Sequence, residues 1–161
     1  MLNNKYIAPL LGLLFCVSAT AAAQALPTQK DKYDFLRWYL KKYNIPNLSD
    51  SIQQLERPNY KITNTESLSF PERRFTKKDI EYIKLQLHQK NMPTRLDTTL
   101  LQGNNWRKPG SQAYPYTYIS LPVFSRNKHI VLINRSNICG PNCSDGNIEV
   151  YIRDKDGNWV W

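Results

Sequence analysis

Residues 116–135 read YTYISLPVFSRNKHIVLINR, and the period they carry decides the fold. Tyr116, Tyr118, Ser120, Pro122 and Phe124 fall on one parity; Thr117, Ile119, Leu121 and Val123 fall on the other. A period of two marks a strand, and Pro122, with no amide hydrogen to donate, marks its end. Arg126-Asn127-Lys128 reads as a turn. His129 to Asn134 (HIVLIN) is apolar on both parities, as a central strand covered on both faces would be.

Downstream, Asn137 to Asn147 is rich in Asn, Gly and Pro and reads as a loop. Ile148 to Arg153 is a third strand, with Ile148, Val150 and Ile152 alternating against Glu149, Tyr151 and Arg153. Asp156-Gly157 is a hairpin-turn signal, and Trp159-Val160-Trp161 follows it as a fourth strand.

Upstream, the period is helical. Phe35, Leu36, Tyr39, Leu40 and Tyr43 make one apolar stripe over about 31–43, ended by Ile45-Pro46. Its tyrosines suit a buried face better than a sugar-stacking platform. Thr76 stands at an N-cap with Asp79 three residues on, Phe75 can staple onto Ile80, and Ile80, Ile83 and Leu87 repeat at helical spacing. This predicts a second helix of about 14 residues, closed by Asn91 and Pro93. Leu48 to Leu68 is ambiguous, with a helical turn over Ser51–Glu56 and an extended Tyr60-Lys61-Ile62-Thr63. Leu100, Leu101 and Trp106 are expected to tuck into the core from a loop that includes Lys108-Pro109-Gly110. Helices followed by hairpin-linked strands predict an α+β domain, its N-terminal helices packed on one face of a three- to five-stranded antiparallel meander.

The chain has 161 residues, enough for one domain. Residues 1–23 read as a signal peptide: Lys5, then an apolar run to Val17, then small residues with cleavage after Ala23 or Ala25. The apolar run is too short to span a bilayer. Cys16 lies inside it after Phe15, which does not suit a lipid-anchor cysteine. Residues 24–161 are then a single exported domain, periplasmic or secreted. Cleavage removes one charged residue, Lys5, and leaves 21 basic against 13 acidic residues, a charge of +8. That favours an anionic envelope component or an acidic protein as partner. The basic residues are dispersed, and no nucleic-acid motif is present.

Cys139-Gly140-Pro141-Asn142-Cys143 is a C-x3-C. In an oxidising compartment it reads first as a disulfide, with Gly140 and Pro141 letting the chain double back. Redox pairs favour C-x-x-C, and a zinc site needs ligands beyond His88 and His129. A Cys–His nucleophile pair with His129 is the remaining catalytic option. Glu66, Glu72, Glu81 and Glu149 are scattered, and no hydrolase, zincin or P-loop motif occurs. Asp154 to Asn158 begins like a calcium loop, but the Asp156-Gly157 turn is the better reading. No cofactor and no metal is expected.

Phe75-Thr76-x-x-Asp79-x-x-Tyr82-Ile83-x-x-Gln86, Leu121-Pro122-Val123-Phe124-Ser125, Cys139-Gly140-x-x-Cys143 and Asp156-Gly157-Asn158-Trp159 together resemble a group of small uncharacterised secreted bacterial proteins. The resemblance covers about 75–161 and implies an envelope location and a helical part followed by a meander with a cysteine loop. It carries no activity. The expected function is therefore that of an exported non-catalytic protein that binds a partner, with Asn137, Pro141, Asn142 and Asp145 around the cysteine loop as the contact residues. The alternatives are an envelope hydrolase using His129, or an inhibitor or immunity-type module contacting through the Cys139–Cys143 loop.

Overall fold

The computed structural model describes residues 25–53, 75–107 and 113–161. The expected leader with Cys16, Tyr60–Thr63 and Lys108–Gly110 lie outside these residues. The described elements are α1 (Gln29–Tyr43), β1 (Leu48–Ile52), α2 (Lys77–Leu87), a 3-10 turn (Thr98–Leu100), β2 (Tyr116–Ile119), β3 (Val123–Phe124), β4 (Ile130–Gly140), β5 (Cys143–Arg153) and β6 (Trp159–Val160). The α+β class holds. The sheet runs β1-β2-β4-β5-β6, with β3 pairing the same side of β4 as β2.

The six-stranded sheet departs from a plain meander in two places. First, β1 is a strand where a helical turn was expected from Ser51, and it pairs parallel to β2. Its outer edge is also occupied. The Ile52 and Leu96 amides donate to Thr94 and Asp50, and the Leu48 and Arg107 amides donate to Asn105 and Leu48. Backbone pairing on both sides overrides a weak local preference. Second, Pro122 interrupts its strand without ending it. β2 pairs with Arg135–Ile138, and after Ser120-Leu121-Pro122 the chain rejoins β4 as β3, opposite Val131 and Leu132. Ser120 stitches the gap: its amide donates to the Asn134 carbonyl and its hydroxyl accepts from the Asn134 amide, both at 2.9 Å.

Helix α1 begins at a capping box between Thr28 and Asp31, and Asn44 ends it in the left-handed region at φ 42°. Burial alone would raise the Asp31 pKa. Hydrogen bonds from Lys128 and Thr28 outweigh that and hold the carboxyl at about 2. Helix α2 begins at the predicted box of Thr76 and Asp79, but stops at Leu87, 11 residues long, before the expected Asn91. Phe75 and Ile80 share one cluster, as the staple requires.

The two helices meet different parities of β4. Phe35, Leu36, Tyr39 and Leu40 of α1 pack with Val131 and Ile133, together with Phe124, Tyr151 and Trp159. Ile83 of α2 packs with Leu132 and Val123. Neighbouring residues of a strand point to opposite faces, so α1 covers one face and α2 reaches the other. Both parities of HIVLIN are apolar for that reason. Gln86 seals the outer edge of β3: its Nε2 donates to the Phe124 carbonyl (2.7 Å), and the Phe124 amide donates to its Oε1 (3.0 Å). Leu101 is fully buried and Trp106 partly so, whereas Leu100 is exposed.

Phe35 is the hub of the larger cluster. Its ring lies within 6.2 Å, centroid to centroid, of Trp38, Tyr39, Phe124, Tyr151 and Trp159. Phe35→Ala should destabilise the fold by about 3–5 kcal/mol, read as a lower urea midpoint. An unshifted midpoint would mean that the cluster does not support the sheet.

Candidate functional site

Strands β4 and β5 form one long antiparallel ribbon, from Ile130 opposite Ile152 out to Gly140 opposite Cys143. The expected loop over Asn137–Asn147 is almost all strand. Only Pro141 and Asn142 stand outside the two strands. Composition marked the segment as a turn, but Asn137, Gly140, Gly146 and Asn147 keep ladder partners across the ribbon. Pro141, which can donate no ladder bond, falls at the reversal. Cys139 and Cys143 stand at disulfide distance across that reversal, with Cα atoms 5.1 Å apart. The pairing of β2 stops at Ile138, so the last residues form a two-stranded arm.

The four expected contact residues divide accordingly. Pro141 and Asn142 are exposed at the tip. Asn137 and Asp145 are direct cross-strand partners below the arm, where β2 still pairs with β4. Thr117, buried on β2, donates its hydroxyl to Asn137 Oδ1 at 3.0 Å, so Asn137 is fixed to the sheet. Asp145 is exposed. Gly146 lies opposite Ser136, where a Cβ would come within 2.3 Å of the serine hydroxyl. This close approach is why glycine fits the position.

Below the arm lies a group that sequence reasoning did not assemble. On β5 it is not the isoleucine parity that faces α1. Tyr151 is fully buried there and Glu149 is 3 % exposed, whereas Ile148 of the other parity is exposed. Glu149 Oε2 accepts from the Tyr39 hydroxyl (3.0 Å) and the Tyr151 hydroxyl (2.6 Å). Glu149 Oε1 faces Arg135 Nε at 3.2 Å. Tyr151 gives its only proton to Glu149, so at 2.7 Å Tyr43 is the donor to Tyr151. The carboxylate is thus held by two hydroxyls and a guanidinium, which offset its loss of hydration. Burial, and then the neighbouring carboxylate, push the Tyr39 phenol above its usual range; burial and the hydrogen bond to Glu149 do the same for Tyr151. An alternation of Glu149 with Tyr151 was legible, but their partners on α1 lie 110 and 108 residues away in sequence.

Helix α1 ends at Tyr43, and among the described residues no helix covers the face beyond it. On that face Arg135 and Asn147 are paired across the ribbon, and Asn137 and Asp145 form the next row out. The Tyr43 ring closes the near side. Lys42 Nζ lies 5.4 Å from its centroid and Arg135 Cζ 5.5 Å. Lys42 also sits over Trp38 at 5.0 Å. This makes a polar shelf, bounded by aromatic rings and cations on the helix side and by the stapled arm on the other.

The opposite end of the sheet is chemically distinct. Asp31, Asp34, Lys128 and Arg153 rim a cleft of about 120 Å³ over Phe35, Phe124 and Trp159. Lys128 pairs with Asp31 at 2.8 Å, and Arg153 lies over the Trp159 ring at 4.9 Å. His129 is exposed at this end, beside the β3–β4 turn. Ten residues of strand separate it from Cys139, roughly 33 Å at extended rise. The Cys–His pair considered from sequence is therefore not formed. His88 is exposed, with Nδ1 2.7 Å from the Lys84 carbonyl. Asp154–Asn158 is a turn, with Gly157 at φ 84° and the Asp156 and Asn158 amides donating to the Asp154 carboxylate. Among the described residues, no three His, Cys, Asp or Glu side chains converge as a metal site would need.

Two expectations follow from the Glu149 network. Glu149→Gln leaves Arg135 without its carboxylate and weakens both phenol bonds, so unfolding in urea should show a loss of about 1–3 kcal/mol. A tyrosine whose pKa is raised on folding contributes stability that is present below about pH 10 and is lost as the unfolded phenol ionises above it. Stability should therefore fall from about pH 10 upward. Ultraviolet titration should leave Tyr39 and Tyr151 un-ionised until the chain unfolds. Smooth ionisation of every tyrosine near pH 10 in the folded protein would contradict the network.

Comparison of the chain with known proteins places it beside none of them: no family model, no curated protein and no solved structure matches it.

Proposed function

We propose that this is an exported, non-catalytic binding protein whose contact surface is the stapled end of its sheet. One observation carries the reading: a two-stranded arm, closed by a two-residue tip and with its cysteines at disulfide distance, presents exposed polar side chains on a rigid sheet. Binding residues concentrate where a firm scaffold holds a short connection out to solvent. A cysteine pair at this distance suits an oxidising compartment, and among the described residues no helix is long and apolar enough to cross a membrane. The leader expected over residues 1–23 and the likeness to small secreted bacterial proteins support the same compartment. The Glu149 network is satisfied within the fold and serves to fix β5 under α1.

A second reading rests on the exposed tip alone. Pro141 and Asn142 would enter a cleft of a target protein, as an inhibitor or immunity module does.

The first check is the intact mass of the protein recovered from the envelope fraction. The expected chain begins at Gln24 or Leu26, carries no lipid, and takes up no alkylating reagent at Cys139 or Cys143 unless reduced. The second check replaces residues 139–143 with Asn-Gly, a two-residue turn that fits the Ile138–Ser144 pair. The shortened protein should fold, because the arm lies beyond the three-stranded part of the sheet, and should lose the partner that the intact protein captures. Free thiols in the native protein, or undiminished capture by the shortened one, would overturn the reading.

A further inference from the structure

We propose that the cleft beside the N-terminal end of α1 is a binding site for a small zwitterion, a free α-amino acid with a short side chain. The cleft lies at the end of the sheet opposite the stapled arm, and the inference goes beyond the arm's role without depending on it.

Four elements far apart in sequence build the cleft. The first turns of α1 bring Asp31 and Asp34, the turn between β3 and β4 brings Lys128, and the end of β5 brings Arg153. Trp159 of β6 lies beneath them with Phe35 and Phe124. The turn holds its lysine in a defined place. Lys128 stands at φ 58°, in the left-handed region that few side chains adopt, and its amide donates to the Ser125 carbonyl at 2.9 Å.

Both signs of charge line the cleft, and both have bonding capacity left. Asp31 accepts from the Thr28 amide, the Thr28 hydroxyl and Lys128 Nζ, each at 2.8 Å, and all three reach Oδ2. Among the described residues no side chain or amide donates to its Oδ1. Lys128 spends one of three ammonium donors on this carboxylate. Arg153 lies over the Trp159 ring at 4.9 Å, and among the described residues no carboxylate stands within 4.0 Å of it. Asp34 is held by Lys30 and Arg37 and serves as wall.

The balance of these charges selects the ligand. Two carboxylates and two cations line the cleft, so a simple anion would meet Asp31 and a simple cation would meet Arg153. A molecule with an ammonium and a carboxylate on one carbon answers both. Its carboxylate takes the Arg153 fork and an open Lys128 donor, while its ammonium donates to Asp31 Oδ1. The cleft volume of about 120 Å³ suits a single amino acid whose short side chain lies against the rings.

The test is a nuclear magnetic resonance titration of the full chain, with the disulfide formed, that follows the Trp159 indole N–H as alanine is added. A saturating shift is expected, with a Kd of about 1 mM or tighter. Alaninamide keeps only the ammonium and N-acetylalanine only the carboxylate, and each should bind about tenfold more weakly or worse. Arg153→Gln should weaken alanine binding about tenfold, and Arg153→Lys, which keeps the charge without the fork, should fall between. The urea midpoint of each variant checks that it is folded. Lys155→Gln removes the same charge from an exposed residue of the next turn, outside the cleft, and should change nothing. Absence of a saturating shift would overturn the site, as would undiminished binding by folded Arg153→Gln. N-acetylalanine binding as well as alanine would make it an anion site, and alaninamide doing so a cation site; either result removes the zwitterion. Equal weakening by Lys155→Gln would show attraction by net charge and overturn the cleft as its seat.

Discussion

The ladder between β4 and β5 is the constraint on which the rest of the structure depends. It runs from Ile130 opposite Ile152 to Gly140 opposite Cys143, and every other strand except β1 attaches to one of its sides. β2 and β3 share the free edge of β4 in succession, β6 takes the far end of β5, and the helices cover its two faces where the strands are apolar. Because successive side chains alternate, fixing this one register fixes which residues meet α1 and which meet α2. A slip of one residue would bring Ile148 to the position under α1 and turn Glu149 and Tyr151 away from Tyr39 and Tyr43.

That register also creates the polar chemistry of the molecule. A carboxylate on a buried parity needs partners, and the helix supplies one of them directly through Tyr39. Arg135, one strand over, supplies the charge, while Tyr43 completes the chain of hydroxyls through Tyr151. The arrangement trades apolar contact for a hydrogen-bonded knot at the point where the covered half of the sheet meets the uncovered half. Beyond it the face is polar, and among the described residues no helix covers it. Among the described residues no third strand pairs with the ribbon beyond Ile138, and there Cys139 and Cys143 stand at disulfide distance across the turn.

The two ends of the sheet are thereby given different characters. At one end Asp31, Lys128, Arg153 and Trp159 gather around a small cleft whose acids and bases largely answer one another. At the other, Lys42 lies over the Trp38 and Tyr43 rings, and among the described residues no carboxylate stands within 4.0 Å of it. Charge left unanswered at a surface is available to a partner, whereas charge paired within the fold is mostly structural.

The sequence by itself determined the local choices: Thr76 with Asp79 starting α2, the stripe of Phe35, Leu36, Tyr39 and Leu40, the double parity of HIVLIN, the Asp156-Gly157 turn and the close pair of cysteines. Each is set by neighbours within a few residues, through caps, periodicity or turn geometry, and each can be read without knowing the fold. Tertiary structure alone decided that Leu48–Ile52 would be a strand, since its partners are Thr117 and Ile119, far along the chain. It also decided that Asn137–Asn147 would be ribbon and not loop, because backbone pairing across the turn outweighs the preferences of Asn and Gly. And it decided that Glu149 would be buried beside two tyrosines, because only the register of β4 on β5 and the length of α1 choose which parity faces the helix.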